Sequence, residues 1–258
     1  MGVLNLTPDS FFSGSRFTEL NKITDKAGQM LAQGAAFIDV GGYSSRPGAE
    51  NISENEETDR VLPVIESLVK DFADINISID TFRARVAEKA VSAGAVMVND
   101  ISGGSLDEKM FETVAHLQVP YVLMHLRGNP QTMTQLTDYQ DLLKEIFIYF
   151  EEKIVILKEF GMKDVVLDLG FGFAKNITQN FTLLQNLHYF DLLGLPMLIG
   201  ISRKSLIYKT LGVSPEEALN GTTVLNTVAL WQGANILRVH DVKEAIETVK
   251  LINRLQNA

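Results

Sequence analysis

The chemistry in this sequence rests on three acceptor-bearing side chains and a few cations. Asp80, Asn99 and Asp168 each close a short run of β-branched or otherwise apolar residues. Two carboxylates and an amide converging from three such runs would hold a planar ring bearing several N–H groups, through paired, charge-assisted hydrogen bonds. Cations stand at comparable places: Ser202-Arg203-Lys204-Ser205 begins a helix after one apolar run, and Arg238-Val239-His240 ends another. Amide N–H groups at a helix start, serine hydroxyls and a lysine suit an anion. Arg238 and His240 alternate along the chain, so both lie on one face of a strand and make a second cationic point. Arg46, between Ser45 and Pro47, offers a guanidinium from a long loop. Two anion points imply one long substrate, or two substrates that each carry negative charge.

These residues need a frame that gathers them. Short apolar runs recur at Val3-Leu4, Phe37–Val40, Ile77–Asp80, Val96–Asn99, Tyr121–Met124, Val165–Asp168, Met197–Ile199 and Ile236–Val239. Each reads as a parallel strand buried on both faces. Helical patterns lie between them. Leu142, Leu143, Ile146, Phe147, Phe150, Ile154 and Leu157 form one stripe, and Phe181, Leu184, Leu187 and Leu193 another, closed by Gly194 and Pro196. Ser214-Pro215-Glu216-Glu217 and Asp241 with Glu244 read as capped helix starts, and Pro63 predicts a start or kink.

Eight strand–helix alternations in 258 residues match a single-domain (β/α)₈ TIM barrel over 1–258. An open doubly wound sheet is the alternative, because periodicity does not show closure. It would usually carry G-x-G-x-x-G after the first strand, where this chain has Asn5-Leu6-Thr7-Pro8. A barrel places its chemistry at the C-terminal strand ends. Asn5, Asp39, Asp80, Asn99 with Asp100, His125, Asp168, Ser202 to Lys204, and Arg238 with His240 all fall there. Capping would explain any one Asp or Asn, but not Lys204, Arg238 or His240. The loops after the first two strands, Thr7 to Phe17 and Gly41 to about Glu57, are long enough to be binding loops or lids.

Composition narrows the class. With 23 Lys+Arg, 32 Asp+Glu and a net charge of −9, the chain is expected to bind neither nucleic acid nor anionic membranes. The absence of cysteine excludes disulfides, thiolate metal sites and thiol nucleophiles. No run is long enough to span a membrane and no leader precedes the first motif, so a cytoplasmic protein is expected. The first strand begins almost at Met1, so part of it and any preceding segment are expected to be missing. Asp168 to Lys175 resembles a phosphate loop only superficially, since it lacks the G-K-[ST] ending. No metal-ligand spacing occurs, so any metal would be a sparsely held Mg²⁺ bound through Asn5 and substrate phosphates. His116 and His188 read as surface or packing residues.

Taken in order, the motifs resemble one family. They are Asn5-Leu6-Thr7-Pro8-Asp9-Ser10-Phe11, Gly41 to Ala49, Ser78 to Thr81, Val98 to Gly104, Met124-His125, Asp168 to Lys175, Ser202 to Ser205 and Arg238 to Asp241. The set is similar to the bacterial dihydropteroate synthase family over essentially the whole chain. The resemblance implies condensation of a dihydropterin methyl diphosphate with 4-aminobenzoate, with Mg²⁺ as cofactor and a homodimer formed through late helices. It implies that Asp80, Asn99, Asp168 and Lys204 hold the pterin, with Met124 and Phe173 lining its pocket. Arg238 would stack on the pterin and meet phosphate, Asn5 would bind Mg²⁺, and Arg46 and His240 would hold diphosphate. Phe11, Ser45, Pro47, Phe173 and Ser205 would surround the aminobenzoate. On this reading Lys204, Asp168, Arg46 and His240 carry the catalysis, by an SN1-like displacement that needs no protein nucleophile. Two residues depart from the usual pattern: Leu169 stands where the family usually has proline, and is expected to loosen the following loop, and Tyr43 stands where many members have glutamate. Two other functions remain open at this level, a pterin-dependent methyltransferase barrel and a non-catalytic pterin-binding barrel. Asn5, Arg46, Ser202 to Ser205 and His240 argue against both.

Overall fold

The computed structural model describes residues 1–6, 16–44 and 51–258. Eight strands form one parallel sheet in sequence order: β1 (Gly2–Asn5), β2 (Ile38–Gly41), β3 (Ile77–Asp80), β4 (Met97–Asp100), β5 (Tyr121–Met124), β6 (Val165–Asp168), β7 (Met197–Ile199) and β8 (Ile236–Leu237). The sheet closes on itself. Val3 N–H donates to Val239 O at 2.9 Å and Val239 N–H donates to Met1 O at 3.0 Å, next to a parallel bridge between Gly2 and Val239. The closed (β/α)₈ barrel therefore replaces the open-sheet alternative.

Strand alternation sorts side chains into two cores. Met97, Val122, Val166 and Leu198 pack together with Phe37 and Ile236 inside the barrel. Their neighbours Val98, Leu123, Leu167 and Ile199 join the larger outer core under the helices. The helices are α1 (Arg16–Ala32), α2 (Glu54–Asp71), α3 (Ala84–Ser92), α4 (Met110–Leu117), α5 (Leu142–Glu159), α6 (Ile177–Gln185), α7 (Ser205–Leu211), α8 (Leu219–Trp231) and α9 (Val242–Gln256). The stripe on α5 holds, with Ile146, Phe150, Ile154 and Leu157 buried.

Four local expectations change. Helix α2 does not start at Pro63 but runs through it. Its start lies at Ser53, whose hydroxyl accepts Glu56 N–H, and Val61, Val64, Ile65 and Leu68 bury the stretch around the proline. Ser214 to Glu217 makes one turn, closed by Ser214 N–H to Glu217 Oε2 at 3.0 Å, and α8 begins only at Leu219. Arg203 Nη1 occupies the carbonyls of Pro215 and Glu216, which a continuous helix would need as acceptors. Asp241 precedes α9 without capping it, because both its carboxylate oxygens are engaged by Arg203. The Phe181–Leu193 stripe is split: Asn186 donates its side chain to Thr182 O at 2.8 Å and ends α6, and a 3₁₀ segment, Leu187–Leu193, continues to Gly194 at φ +65°.

Candidate functional site

The alternation that puts Val122, Val166 and Leu198 inside puts Met124, Asp168 and Gly200 inside one layer higher. On the other side of the barrel the same layer holds Asn5, Gly41 and Asp80, which are register partners along β1, β2 and β3. Asp80 is in turn the partner of Asn99, and Met124 of Asp168. Arg238 lies two residues beyond Ile236 and His240 two beyond that, so both open toward the same mouth. The rim residues are thus brought together by strand periodicity rather than by loop conformation.

Arg238 is the centre of this cluster. Its Nε donates to Asp39 Oδ2 at 2.6 Å and its Nη2 to Asp80 Oδ2 at 2.6 Å. Asn99 Nδ2 donates to the same Asp39 oxygen at 3.1 Å. Burial works against the guanidinium, but Asp39 and Asp80 more than compensate and hold it charged beyond the usual arginine range. Burial pushes the Asp80 carboxyl up to about 7, against the pull of Arg238. Asp39 was visible as a strand end but carried no site role in the sequence. The signal was its spacing: two residues before Gly41 it faces inward, where an arginine needs a counter-charge.

Lys204 faces Asp168 from the other side. Its Nζ donates to Phe171 O at 2.6 Å and sits 4.6 Å from the centroid of the Phe173 ring. Burial lowers Lys204 to about 8, with Asp168 opposing, and burial raises Asp168, with Lys204 opposing. Asp168 Oδ1 accepts Gly170 N–H at 2.8 Å. A Cβ on Gly200 would meet only Arg238 and Lys204 side-chain atoms at 3.9–4.0 Å, so the wall between the two cations is flat. Met124 and Phe173 belong to one apolar cluster with Ile101, Leu126, Met133 and Ala174. The result is a slot with an apolar wall, two carboxylates and an amide at its depth, and cations on its rim.

His240 Nδ1 lies 3.1 Å from Ser202 Oγ, and burial followed by Arg238 lowers the imidazole to about 4. Ser205 is the first residue of α7, next to Lys204. Asn5 is exposed at the mouth, and no described residue hydrogen-bonds its side-chain amide. Phe11, Ser45, Arg46 and Pro47 lie outside the described residues.

Three polar residues at the rim do not join the slot. Asp100 points to the outer face, where Tyr121 OH donates to it at 2.7 Å and the N–H groups of Ser102 and Gly104 at 2.7 and 2.8 Å. His125 is buried, with its ring edge-on to Tyr149 and its Nδ1 3.0 Å from Lys175 Nζ. Arg203 turns away to form a two-pronged bond with Asp241, so the anion point before α7 consists of Lys204 and Ser205. Leu169, expected to loosen the loop after β6, packs inward. It is fully buried in the outer core, and Phe173 N–H closes the loop onto Gly170 O at 3.0 Å. Tyr43 stacks edge-on against Phe82 with Arg83 over both rings. His116 and His188 are exposed on the outside.

The protein is thus a closed parallel (β/α)₈ barrel whose mouth combines deep carboxylates with cations. The pterin binding enzyme family model matches residues 1–240, and the chain belongs to that family. Its place there is among the dihydropteroate synthases, which are transferases. It is 45% identical to the dihydropteroate synthase of Synechocystis over 99% of this chain and 89% of that one. It is 41% identical to that of Escherichia coli K12 over 100% and 92%. The Yersinia pestis dihydropteroate synthase solved in a sulfonamide drug complex superposes with a TM-score of 0.93 at 40% identity, covering 100% of this chain and 94% of that one. The Xanthomonas albilineans enzyme in complex with 7,8-dihydropteroate gives 0.88 at 34% identity, covering 100% and 93%.

Proposed function

We propose that this chain condenses (7,8-dihydropterin-6-yl)methyl diphosphate with 4-aminobenzoate to give 7,8-dihydropteroate and diphosphate. The observation that carries this reading is the convergence of Asp80, Asn99 and Asp168 with Lys204 and Arg238 on one slot. A pterin offers a flat face, an amidine-like edge and a carbonyl. The carboxylates and amide take its N–H groups, Lys204 takes its carbonyl side, and Met124 and Phe173 cover its apolar surface. Arg238 lies where a guanidinium can stack on the ring and reach the diphosphate.

In the reaction the C–O bond from the methylene to the diphosphate breaks, and the aminobenzoate nitrogen bonds to the same carbon and releases one proton. Asp168 stabilises positive charge that develops on the ring as the bond lengthens. Arg238, neutral His240 and Arg46 receive the diphosphate, and Phe11, Ser45, Pro47, Phe173 and Ser205 orient the aminobenzoate with its carboxylate near α7. Mg²⁺ fits the donor set. The Asn5 amide oxygen at the mouth, which no described residue engages, suits a cation that keeps most of its waters and is otherwise held by phosphates; when bound, such a cation would neutralise leaving-group charge. No group of three His, Asp or Glu residues among the described residues is arranged for a metal.

A homodimer through the late helices has support in the exposed apolar residues Val224, Val228 and Trp231 on α8 and Leu251 and Leu255 on α9. No described helix is long and apolar enough to cross a membrane. We further propose a single-domain cytoplasmic chain, and its net charge of −9 disfavours nucleic-acid partners. The deciding experiment is a coupled assay of diphosphate release with both substrates. Turnover that needs both, with pterin cation trapped or diphosphate slowly released when aminobenzoate is withheld, supports an SN1-like displacement. A covalent enzyme–pterin adduct overturns it. Lys204→Ala and Asp80→Ala enzymes with unchanged turnover would overturn the site assignment.

A further inference from the structure

Lys175 lies outside the slot but is tied to it. Its side chain is buried, at 7% exposure, and no described carboxylate forms an ion pair with it. Its Nζ instead meets three neutral acceptors: Gly170 O at 3.1 Å, Phe173 O at 3.1 Å and His125 Nδ1 at 3.0 Å. An ammonium has three N–H groups, so these contacts use all of them and require the Nε2–H form of His125. A neutral amine keeps the same links, donating to the two carbonyls and accepting from Nδ1–H. The cross-link does not depend on which partner carries the proton.

Two of the three contacts bear on residues that hold the ring, and the third anchors the loop to the end of β5. Gly170 supplies the N–H that orients Asp168. Gly170 also has φ +69°, and a Cβ there would stand 2.1 Å from His125 O. That close approach brings the loop against β5. Phe173 has its carbonyl on Lys175 and its ring under Lys204. Gly172 passes so close to Lys204 that a Cβ would lie 3.2 Å from its Cδ. The loop therefore runs between two lysines, Lys204 on the slot side and Lys175 behind. Ala174, which follows Phe173, holds φ +47° without being glycine, a left-handed conformation that its Cβ disfavours. Tyr139 OH fixes its carbonyl at 2.9 Å. Burial also lowers Lys175 to about 7. A buried amine among neutral acceptors in a strained loop is a costly arrangement for packing alone.

We propose that Lys175 is a positioning residue of the pterin pocket, which locks the Gly170–Phe173 loop to His125 and thereby sets Asp168 and Phe173 for the ring. This rests on the pterin reading above. The test is Lys175→Met, which keeps the length and removes every hydrogen bond, made in the full chain. The probe is 6-hydroxymethylpterin, followed by its fluorescence, together with KM and kcat for the pterin diphosphate. The expected result is a folded variant whose Kd and pterin KM rise tenfold or more, with Lys175→Gln, which keeps two donors, falling in between. A Lys175→Met enzyme with a lower Tm but unchanged pterin Kd and KM would show a structural role alone and overturn the proposal. If Lys175→Met does not fold, His125→Phe removes the Nδ1 acceptor while keeping a ring against Tyr149. A pterin Kd raised threefold or more supports the proposal, and an unchanged Kd overturns it. Wild-type enzyme that does not bind hydroxymethylpterin would instead overturn the functional reading itself.

Discussion

Arg238 Nε lies 2.6 Å from Oδ2 of Asp39, a carboxylate with no exposed surface. Asp80 shares the guanidinium, but Asp80 reaches the mouth and can turn to a ligand, whereas Asp39 cannot. Asp39 is thus the fixed anchor and Asp80 the exchangeable partner. Asp39→Ala leaves Arg238 dependent on Asp80 alone. The expected outcome is a stability loss on the order of 3 kcal/mol in urea denaturation, with weaker pterin binding because Asp80 is held back by the arginine.

The pH dependence follows from Asp80, raised to about 7, and Lys204, lowered to about 8. If the ring needs the carboxylate ionised and the ammonium charged, kcat/KM for the pterin diphosphate is bell-shaped with limbs near those two values. Asp80→Asn should remove the acid limb, and Lys204→Arg should move the alkaline limb upward. Neutral His240 should add no limb between pH 6 and 9. For stability the sign is opposite to that of a paired lysine. The folded pKa of Lys204 lies below its unfolded value, so the unfolded chain binds more protons between about pH 8 and 10.5, and this group's contribution rises through that window. Lys204→Met should flatten that rise in denaturation curves taken across it.

Metal removal tests the Asn5 assignment. Chelation should abolish turnover, and Mg²⁺ should restore it. Asn5→Ala should raise the Mg²⁺ concentration for half-maximal velocity about tenfold and leave the Tm unchanged, because no described residue depends on that side chain. A titration of rate against Mg²⁺ for both enzymes checks this.

Arg203 makes the complementary prediction. Its bonds of 2.8 Å to both oxygens of Asp241 and its contacts to Pro215 O and Glu216 O join the segment before α7 to those before α8 and α9. Arg203→Ala should cost about 2 kcal/mol of stability. Its kcat/KM should stay within a factor of about three of wild type, whereas Lys204→Ala should lose about 100-fold. Steady-state kinetics on the two neighbouring variants separates the structural cation from the functional one.

Much of this could be read along the chain, and the failures share a cause. Strand periodicity is local, so Asp80, Asn99, Asp168 and Arg238 announced themselves by ending apolar runs. Asp100 and His125 ended such runs too, yet face away, because one residue of register turns a side chain to the other side of the barrel wall. Asp241 and Ser214 had the residue types of helix caps, but Arg203 reached both segments from a distance and took their acceptors.

The eight-fold alternation, the inward rows of alternating side chains and the motif order that places the chain in its family can all be read from one strand of letters. Hydrophobic period and residue type carry that information without knowledge of partners. Which charges meet depends on the folded chain. Asp39 with Arg238, and Lys175 with His125, are contacts between residues 199 and 50 apart. Closure of the barrel creates the first, because a ring of strands brings the last against the first, and the pairing of β5 with β6 creates the second.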